Sequence, residues 1–429
     1  MKKTAYLLAI LVSAIQAQAA VIEQVIVRQQ WPWSTDVKVE YKLSGVTAPV
    51  DIRVVAYNGG VPLDPSRLNA AITGELYGIA TDGIGEFIID PVTAFGTSQV
   101  ALANFKVKLS VSDSPASMNE VLYKIFDLST GSGTFPCTDV TRADILNGKY
   151  GSWETNYANV ATGFSTGLSD CLVWTGVTNR PNAKTTELVM RKIPAGTFQM
   201  GQTGGVFAGS NGNAEQVHDV TLTKDFYIGV YPVTQEQYRK LTRGVWSGSG
   251  HKGNAFPVES AAYDVFQSVV TNGIAANLGV SVDFPTEAQW EYACRAGTTS
   301  ELYSGLALTS AHLDPIAWHS GNSSETTCEV GLKLPNAFGL YDMIGNVYEA
   351  CSDFWEVASN LPGYSDGTSV TDPKGPVAAT RFDDTNHPYY VIRGGSFALN
   401  NYLATSAGRN GNAGNWTTYG FRLAFAVGE

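Results

Sequence analysis

A chain of 429 residues is too long for one average domain, so two or three folded units are expected. With 44 glycines, 44% hydrophobic and only 16% charged residues, the composition argues against helix bundles and for strands, turns and long loops. A net charge of −11 without a basic cluster argues against nucleic acid or an anionic membrane as partner, because neither contact would gain from counterion release.

The N-terminus, MKKTAYLLAILVSAIQAQA, sets Lys2 and Lys3 before an apolar run from Ala5 to Ile15 and closes on Ala17-Gln18-Ala19, the pattern of a cleaved secretory signal. The run is shorter than the roughly twenty apolar residues of a membrane span. Residues 1–19 are therefore expected to be a signal peptide, and the rest of the chain secreted or periplasmic with no membrane span. No cysteine follows the cleavage motif, which argues against a lipid anchor.

Residues 20–115 read as strands. DVKVEYKL places Val37, Val39, Tyr41 and Leu43 on one face and charged residues on the other, and FKVKLSVS alternates likewise through Phe105, Val107, Leu109 and Val111. VIEQVIVRQ, VDIRVVAYN and IGEFIID are further candidates. This many short strands predicts an all-β sandwich of the immunoglobulin or fibronectin kind, read as a spacer or docking module.

Residues 116–185 are rich in Gly, Ser, Thr and Asn and read as a connector. GFSTG, Gly163 to Gly167, has the G-x-S-x-G spacing of serine hydrolases, but neither the strand before it nor the helix after it that such an elbow requires, so Ser165 is not expected to be a nucleophile. Five cysteines are present: Cys137, Cys171, Cys294, Cys328 and Cys351. Cys137 and Cys171 flank this turn-rich stretch and are the expected disulfide; an odd count leaves at least one thiol over, and C-x-x-C spacing is absent.

From residue 186 the texture changes. ELVMRKIPAGTFQMG predicts a strand and a turn, and FYIGVYPVTQEQYRKL a strand then a helix with Thr234 as N-cap and Gln237 three residues on. FPTEAQWEYACRAG repeats the device with Thr286 and Gln289, and Gly297 is expected to end the helix.

These two helices, together with PNAFGLYDMIGNVYEACSDFW (335–355) and RGGSF…GFRLAF (393–425), resemble the sulfatase-modifying-factor, or formylglycine-generating-enzyme, family over residues 186–425. The resemblance implies an α+β C-type-lectin-like domain over 186–429 with little regular secondary structure, so the fold class of the whole chain is mixed. It also implies three kinds of activity. Some members oxidise a sulfatase cysteine to an aldehyde with oxygen and copper held by two thiolates; others use histidine-bound iron; others only bind ligands.

In the copper oxidases both thiolates fall shortly after a GGS. Here Gly394-Gly395-Ser396 is followed by apolar and amide residues: the first position corresponds to Leu399, the second falls between Tyr402 and Ala404, and no cysteine exists after Cys351. Copper(I) favours soft sulfur ligands, so copper is not an expected cofactor and no catalytic residue is assigned. The histidines His218, His251, His312, His319 and His387 show no H-x-x-x-H pair, which argues against the iron route.

The family's calcium positions carry over to Asp342, Gly345, Val347 and Glu349, two carboxylates and two backbone carbonyls, so structural Ca²⁺ is the expected cofactor. The other reading is that these carboxylates accept backbone hydrogen bonds in a tight turn. The family's second calcium site has no match, with Ile316 where an oxygen donor is wanted. Around the vacated thiol positions, Ser396, Asn400, Asn401, Tyr402, Asn410, Asn412, Asn415 and Trp416 offer amide and aromatic groups suited to binding a protein or glycan, or else simply fill loops. Arg409 and Arg422 are expected to be buried structural hydrogen-bonders. The sequence thus predicts a secreted or periplasmic binding protein without formylglycine oxidase activity. The alternative is an oxidase acting on sulfatase cysteines, or another metal-dependent oxidation, with Cys294, Cys328 and Cys351 as the spare thiols.

Overall fold

The computed structural model describes residues 20–29, 34–96, 102, 104–149, 154–155, 172–173, 180–202, 216–244, 248–260, 263–357, 360–384, 386–399, 403–412 and 418–428. Residues 1–19, expected to be a signal peptide, Ser165 and Cys171 lie outside them, and with Cys171 the expected Cys137–Cys171 bridge. The chain forms two compact units, one of residues 1–120 with 146–149, the other of 121–145 with 150–429. Among the described residues no helix is long and apolar enough to cross a membrane.

The first unit contains strands β1 (Val21–Gln29), β2 (Val37–Ser44), β3 (Val50–Asn58), β4 (Val61–Pro62), β5 (Ile72–Gly74), β6 (Gly83–Ile89) and β7 (Lys106–Asp113), and helices α1 (Pro65–Ala71) and α2 (Pro91–Phe95). The strands make two antiparallel sheets, in the orders β1-β2-β6-β5 and β4-β3-β7. The alternation read in β2 is realised: Val37, Val39, Tyr41 and Leu43 are buried with Phe87 and Ile89 of β6, Ile52 and Ala56 of β3, and Leu68 of α1. On the opposite face Lys38 pairs with Glu40 and Glu86. Asp90 caps α2 by accepting from the backbone N–H groups of Val92 and Thr93.

The second unit is largely β with few, short helices. Its largest sheet has the order β21 (Ala424–Ala426), β15 (Phe226–Gly229), β12 (Glu187–Ile193), β8 (Val121–Asp127) and β9 (Cys137–Thr141). Strands β8 and β9 come from the stretch read as a connector. VLYKIFD was not recognisable by alternation because it is buried on both faces, and period two disappears from such a strand. A short pair joins β10 (Glu154–Thr155) to β11 (Leu172–Val173), and a three-stranded sheet contains β13 (Gly196–Met200), β14 (His218–Leu222) and β17 (Val370–Thr371). The sheet that matters most for the site is β19 (Arg409–Asn412), β18 (Tyr390–Arg393), β16 (Tyr348–Phe354) and β20 (Tyr419–Gly420), with β20 parallel to β16.

Helices α3 (Gln235–Leu241), α4 (Tyr263–Val269) and α5 (Glu287–Arg295) lie in this unit. Both expected capping boxes form: Thr234 with Gln237 and Thr286 with Gln289 exchange side-chain and backbone bonds. The end of α5 differs by one residue from expectation. Ala296 takes the left-handed conformation and its N–H closes on the Tyr292 carbonyl, one position before Gly297. Of the nine residues of α5 only Gln289 is not buried. A helix surrounded on all sides normally carries apolar residues throughout, yet this one carries Glu287, Glu291 and Arg295, so each charge requires a partner inside the protein.

Candidate functional site

Those partners are arginines from the C-terminal strands. Arg409 of β19 grips Glu287 with both prongs, Nε to Oε1 at 2.7 Å and Nη2 to Oε2 at 2.8 Å, while its guanidinium lies 4.4 Å from the Trp355 ring. Arg393 of β18 bonds Glu291 through Nη2 and the Ala407 carbonyl through Nη1 at 2.6 Å. Arg295 closes on the other oxygen of Glu291 at 2.7 Å, where the Gly201 N–H also donates at 2.9 Å. Burial alone would raise the Glu291 carboxyl, but Arg295 and Arg393 outweigh it and hold the group below its ordinary value. A second pair, Arg422 with Glu349 of β16, is bidentate at 2.6 Å on each prong. Arg409 and Arg422 are thus the buried structural residues they were expected to be.

Asp353, at the end of β16, has no such grip. Its Oδ2 accepts the Glu287 N–H at 2.8 Å, but burial, reinforced by the charge of Glu287, pushes its carboxyl up to about 7.

The ion pairs hold a loop junction whose centre is Asn346, fully buried and in the left-handed conformation. Its N–H donates to the Trp318 carbonyl at 2.8 Å and its own carbonyl accepts the Phe397 N–H at 2.8 Å. Its side chain accepts from the Cys328 N–H at 3.1 Å and donates to the Cys328 carbonyl at 3.0 Å. One asparagine therefore ties three separate loops. Gly394 and Gly395 precede Phe397 with φ of +88° and +73°, and a Cβ on Gly394 would stand 2.8 Å from the Met343 carbonyl oxygen. This turn sends Ser396 inward, where it is 1% exposed.

Buried polar atoms gather on the same loops. Among the described residues, Ser396 Oγ, Thr327 Oγ1 and Trp318 Nε1 have no hydrogen-bond partner. Each unsatisfied buried group costs about 1–3 kcal/mol, and three on segments joined by one asparagine mark a place suited to water or to the polar groups of a ligand. Ser323 Oγ donates to the Phe397 carbonyl at 2.8 Å, and the Phe397 ring meets His251 edge-on at 5.2 Å. Ala398 is exposed beside them. Sequence reasoning did not assign Asn346 a role; the available signal was the Gly-Asn pair, a turn dipeptide able to adopt left-handed backbone.

Of the expected ligand-binding residues, Asn400, Asn401, Tyr402, Asn415 and Trp416 lie outside the described residues. Ser396 and Asn412 are buried and Asn410 is half-buried, so these three do not form the open loop surface that the sequence suggested. The reason is pairing: residues 409–412 form β19 against β18, with Arg409 anchored to Glu287. At the first thiol position Leu399 is half-buried against one core cluster; of the stretch from Tyr402 to Ala404 that holds the second, Tyr402 lies outside the described residues and Ala404 is buried in another cluster. Cys294 and Cys351 are unpaired and fully buried; burial pushes the Cys294 thiol up to about 12 and Cys351 well above its ordinary value. Cys328 is unpaired and half-buried, its thiol also raised by burial.

The calcium positions meet a specific obstacle. Both oxygens of Glu349 are held by Arg422, and Trp290 Nε1 donates to Oε2 at 2.7 Å. Asp342 is buried, accepts the Gly331 N–H at 2.7 Å, and is pushed up to about 6 by burial. Of the two carboxylates expected to hold calcium, Asp342 thus lacks a direct arginine partner, whereas Glu349 is engaged by Arg422 and Trp290. Among the described residues, no group of three or more His, Cys, Asp or Glu side chains is placed to share a metal ion.

Comparison with known proteins bears on the same half of the chain. A sequence profile for the "Sulfatase-modifying factor enzyme 1-like domain" matches residues 176–427. A chaperone protein, LppX of Paenibacillus barcinonensis, is 31% identical over 204 residues, covering 36% of this chain and 69% of that protein. The formylglycine-generating enzyme of Mus musculus is 28% identical over 155 residues, covering 33% of this chain and 38% of that enzyme. The serine/threonine-protein kinase pkn1 of Chlamydia pneumoniae is 28% identical over 299 residues, covering 61% of this chain and 43% of the kinase. The chain thus spans less than half the length of the enzyme and of the kinase. Among solved structures, Treponema denticola variable protein 1 is 25% identical with a TM-score of 0.46, covering 56% of this chain and 95% of that one. PvdO from Pseudomonas aeruginosa is 27% identical with a TM-score of 0.43, covering 56% and 94%.

Two outcomes are expected from this geometry. Glu349→Gln strands a buried arginine and should cost about 3–5 kcal/mol in urea unfolding, with the same cost in calcium and in chelator. A calcium-dependent cost would show instead that Glu349 serves the ion. Asp353 has a folded value near 7, above its ordinary 3.8, so the stability it contributes is complete below about pH 4 and is lost as pH rises through 7. Asp353→Asn removes that loss: relative to the parent it should gain a few kcal/mol, in order of magnitude, between pH 4 and pH 8, read as a difference in melting temperature. A constant difference across that range would contradict the placement.

Proposed function

Because the chain belongs to the sulfatase-modifying factor family, we propose that it is an exported binding member of that family, holding a protein or glycan ligand on the loop surface around Ser396, and not a copper-dependent formylglycine oxidase. The observation that carries this reading is the absence of sulfur from both thiol positions: Leu399 stands at the first, the second falls between Tyr402 and Ala404, and the chain has no cysteine after Cys351. Sulfur donors are what a copper(I) centre requires. Among the remaining thiols, Cys294 and Cys351 are poor substitutes, being buried and held protonated.

Three features support binding. The loops around Asn346 carry unpartnered hydroxyl and indole groups, which recognise but do not by themselves transform a ligand. The junction is rigid at its base, being seated on the Arg393 and Arg422 ion pairs, which suits preorganised recognition. A relative is named a chaperone protein, and that name favours a protein ligand over a glycan. The first unit, with two antiparallel sheets on one core, fits an immunoglobulin-like docking module. Export rests on the N-terminal signal pattern.

The test combines cross-linking capture from the exported fraction with a glycan array, followed by affinity measurements on the identified ligand. Ala398→Asp, and separately the triple replacement of Asn400, Tyr402 and Trp416 by Ala, should each weaken binding by about tenfold or more while the circular dichroism spectrum stays unchanged. Parental affinity in both variants would remove this surface from consideration.

A further inference from the structure

A second concavity lies apart from the Asn346 junction. Between α5 and residues 361–375, a cavity of about 310 Å³, at the lower end of small-molecule site sizes, is walled by Leu361, Pro362, Tyr364 and Val370. Its polar floor is Glu287 and Asp353, and the exposed Lys374 stands at its edge. The two carboxylates are not equivalent. Arg409 neutralises Glu287 on both oxygens. Asp353 is 3% exposed, and among the described residues its hydrogen bonds, from the Glu287 N–H and the Ser352 hydroxyl, fall on Oδ2. Space in front of Oδ1 is kept by a glycine, since a Cβ at Gly375 would stand 3.2 Å from that oxygen.

We propose that this cavity binds a primary alkylammonium group, with its nitrogen on Asp353 Oδ1 and its stem against Leu361, Val370 and Tyr364. An anion would meet two carboxylates. A divalent cation needs several hard oxygens, and among the described residues only one carboxylate oxygen here lacks a protein partner. A purely apolar guest would leave that oxygen buried and unmet, a desolvation cost without compensation. An ammonium ion supplies both charge and donors, and the short aliphatic stem behind it matches apolar walls. The raised carboxyl of Asp353 is consistent with a group whose cation is supplied from outside the chain. The ammonium could arrive as a free amine or at the end of a lysine side chain.

The test is calorimetric titration of the full chain with n-pentylammonium, its neutral isostere 1-pentanol, and Nα-acetyl-lysine amide. Saturable binding of pentylammonium is expected, about tenfold or more weaker for pentanol and for the Asp353→Asn protein, the loss of one charge-assisted bond. Val370→Phe fills the cavity, leaves Asp353 in place, and should abolish binding; it decides the matter alone should Asp353→Asn fail to fold. Lysine amide binding as tightly as pentylammonium assigns the site to lysine side chains, and weaker binding assigns it to free amines. The proposal is overturned by absent binding of pentylammonium, by equal affinity for pentanol, or by parental affinity in the folded variants. None of these results depends on the ligand of the Ser396 loops.

Discussion

The second unit is organised by the need to neutralise charges on a helix that water does not reach. Glu287, Glu291 and Arg295 lie on α5, buried on nearly every side, and an unpaired charge in such a place would cost several kcal/mol. Arg393 and Arg409 meet that need, and both sit on strands of one sheet whose register places Arg393 opposite Arg409 and Glu349 opposite Arg393. The pairs therefore fix strand order as well as charge. Removing either partner would free a register that backbone bonds alone specify weakly on strands of four residues.

From this base the loops acquire definite positions without being long regular elements. Arg422 seats Glu349, which accepts the Trp290 indole N–H, and Trp290 flanks the Gly394 turn that buries Ser396. Asn346 then ties the loop ends together. The family's domain is present, and no cysteine follows its Gly394-Gly395-Ser396 turn.

Local devices were legible in the sequence and long-range ones were not. The capping boxes at Thr234 and Thr286 need only residues three apart, and the alternation of β2 needs only its own eight residues. Strand β8 escaped because both of its faces are buried. The Arg409–Glu287 pair joins positions 122 residues apart, so its partner could not be named even though burial of Arg409 was expected. The expectation of an open Asn-rich face failed at Asn412 for the same reason, because a loop-like composition was recruited into β19 by that distant ion pair. At Glu349 the family pattern suggested a calcium ligand, and the partner that occupies its carboxylate, Arg422, lies 73 residues on.

The most direct measurement is a copper(I) titration of the reduced, purified chain against a competing chromophoric chelator, run beside incubation with copper, oxygen and a C-x-P-x-R peptide. The expected result is no tight stoichiometric copper and an unmodified peptide cysteine. Stoichiometric copper that disappears when Cys294, Cys328 or Cys351 is changed to Ser, together with aldehyde in the peptide, would contradict a binding role.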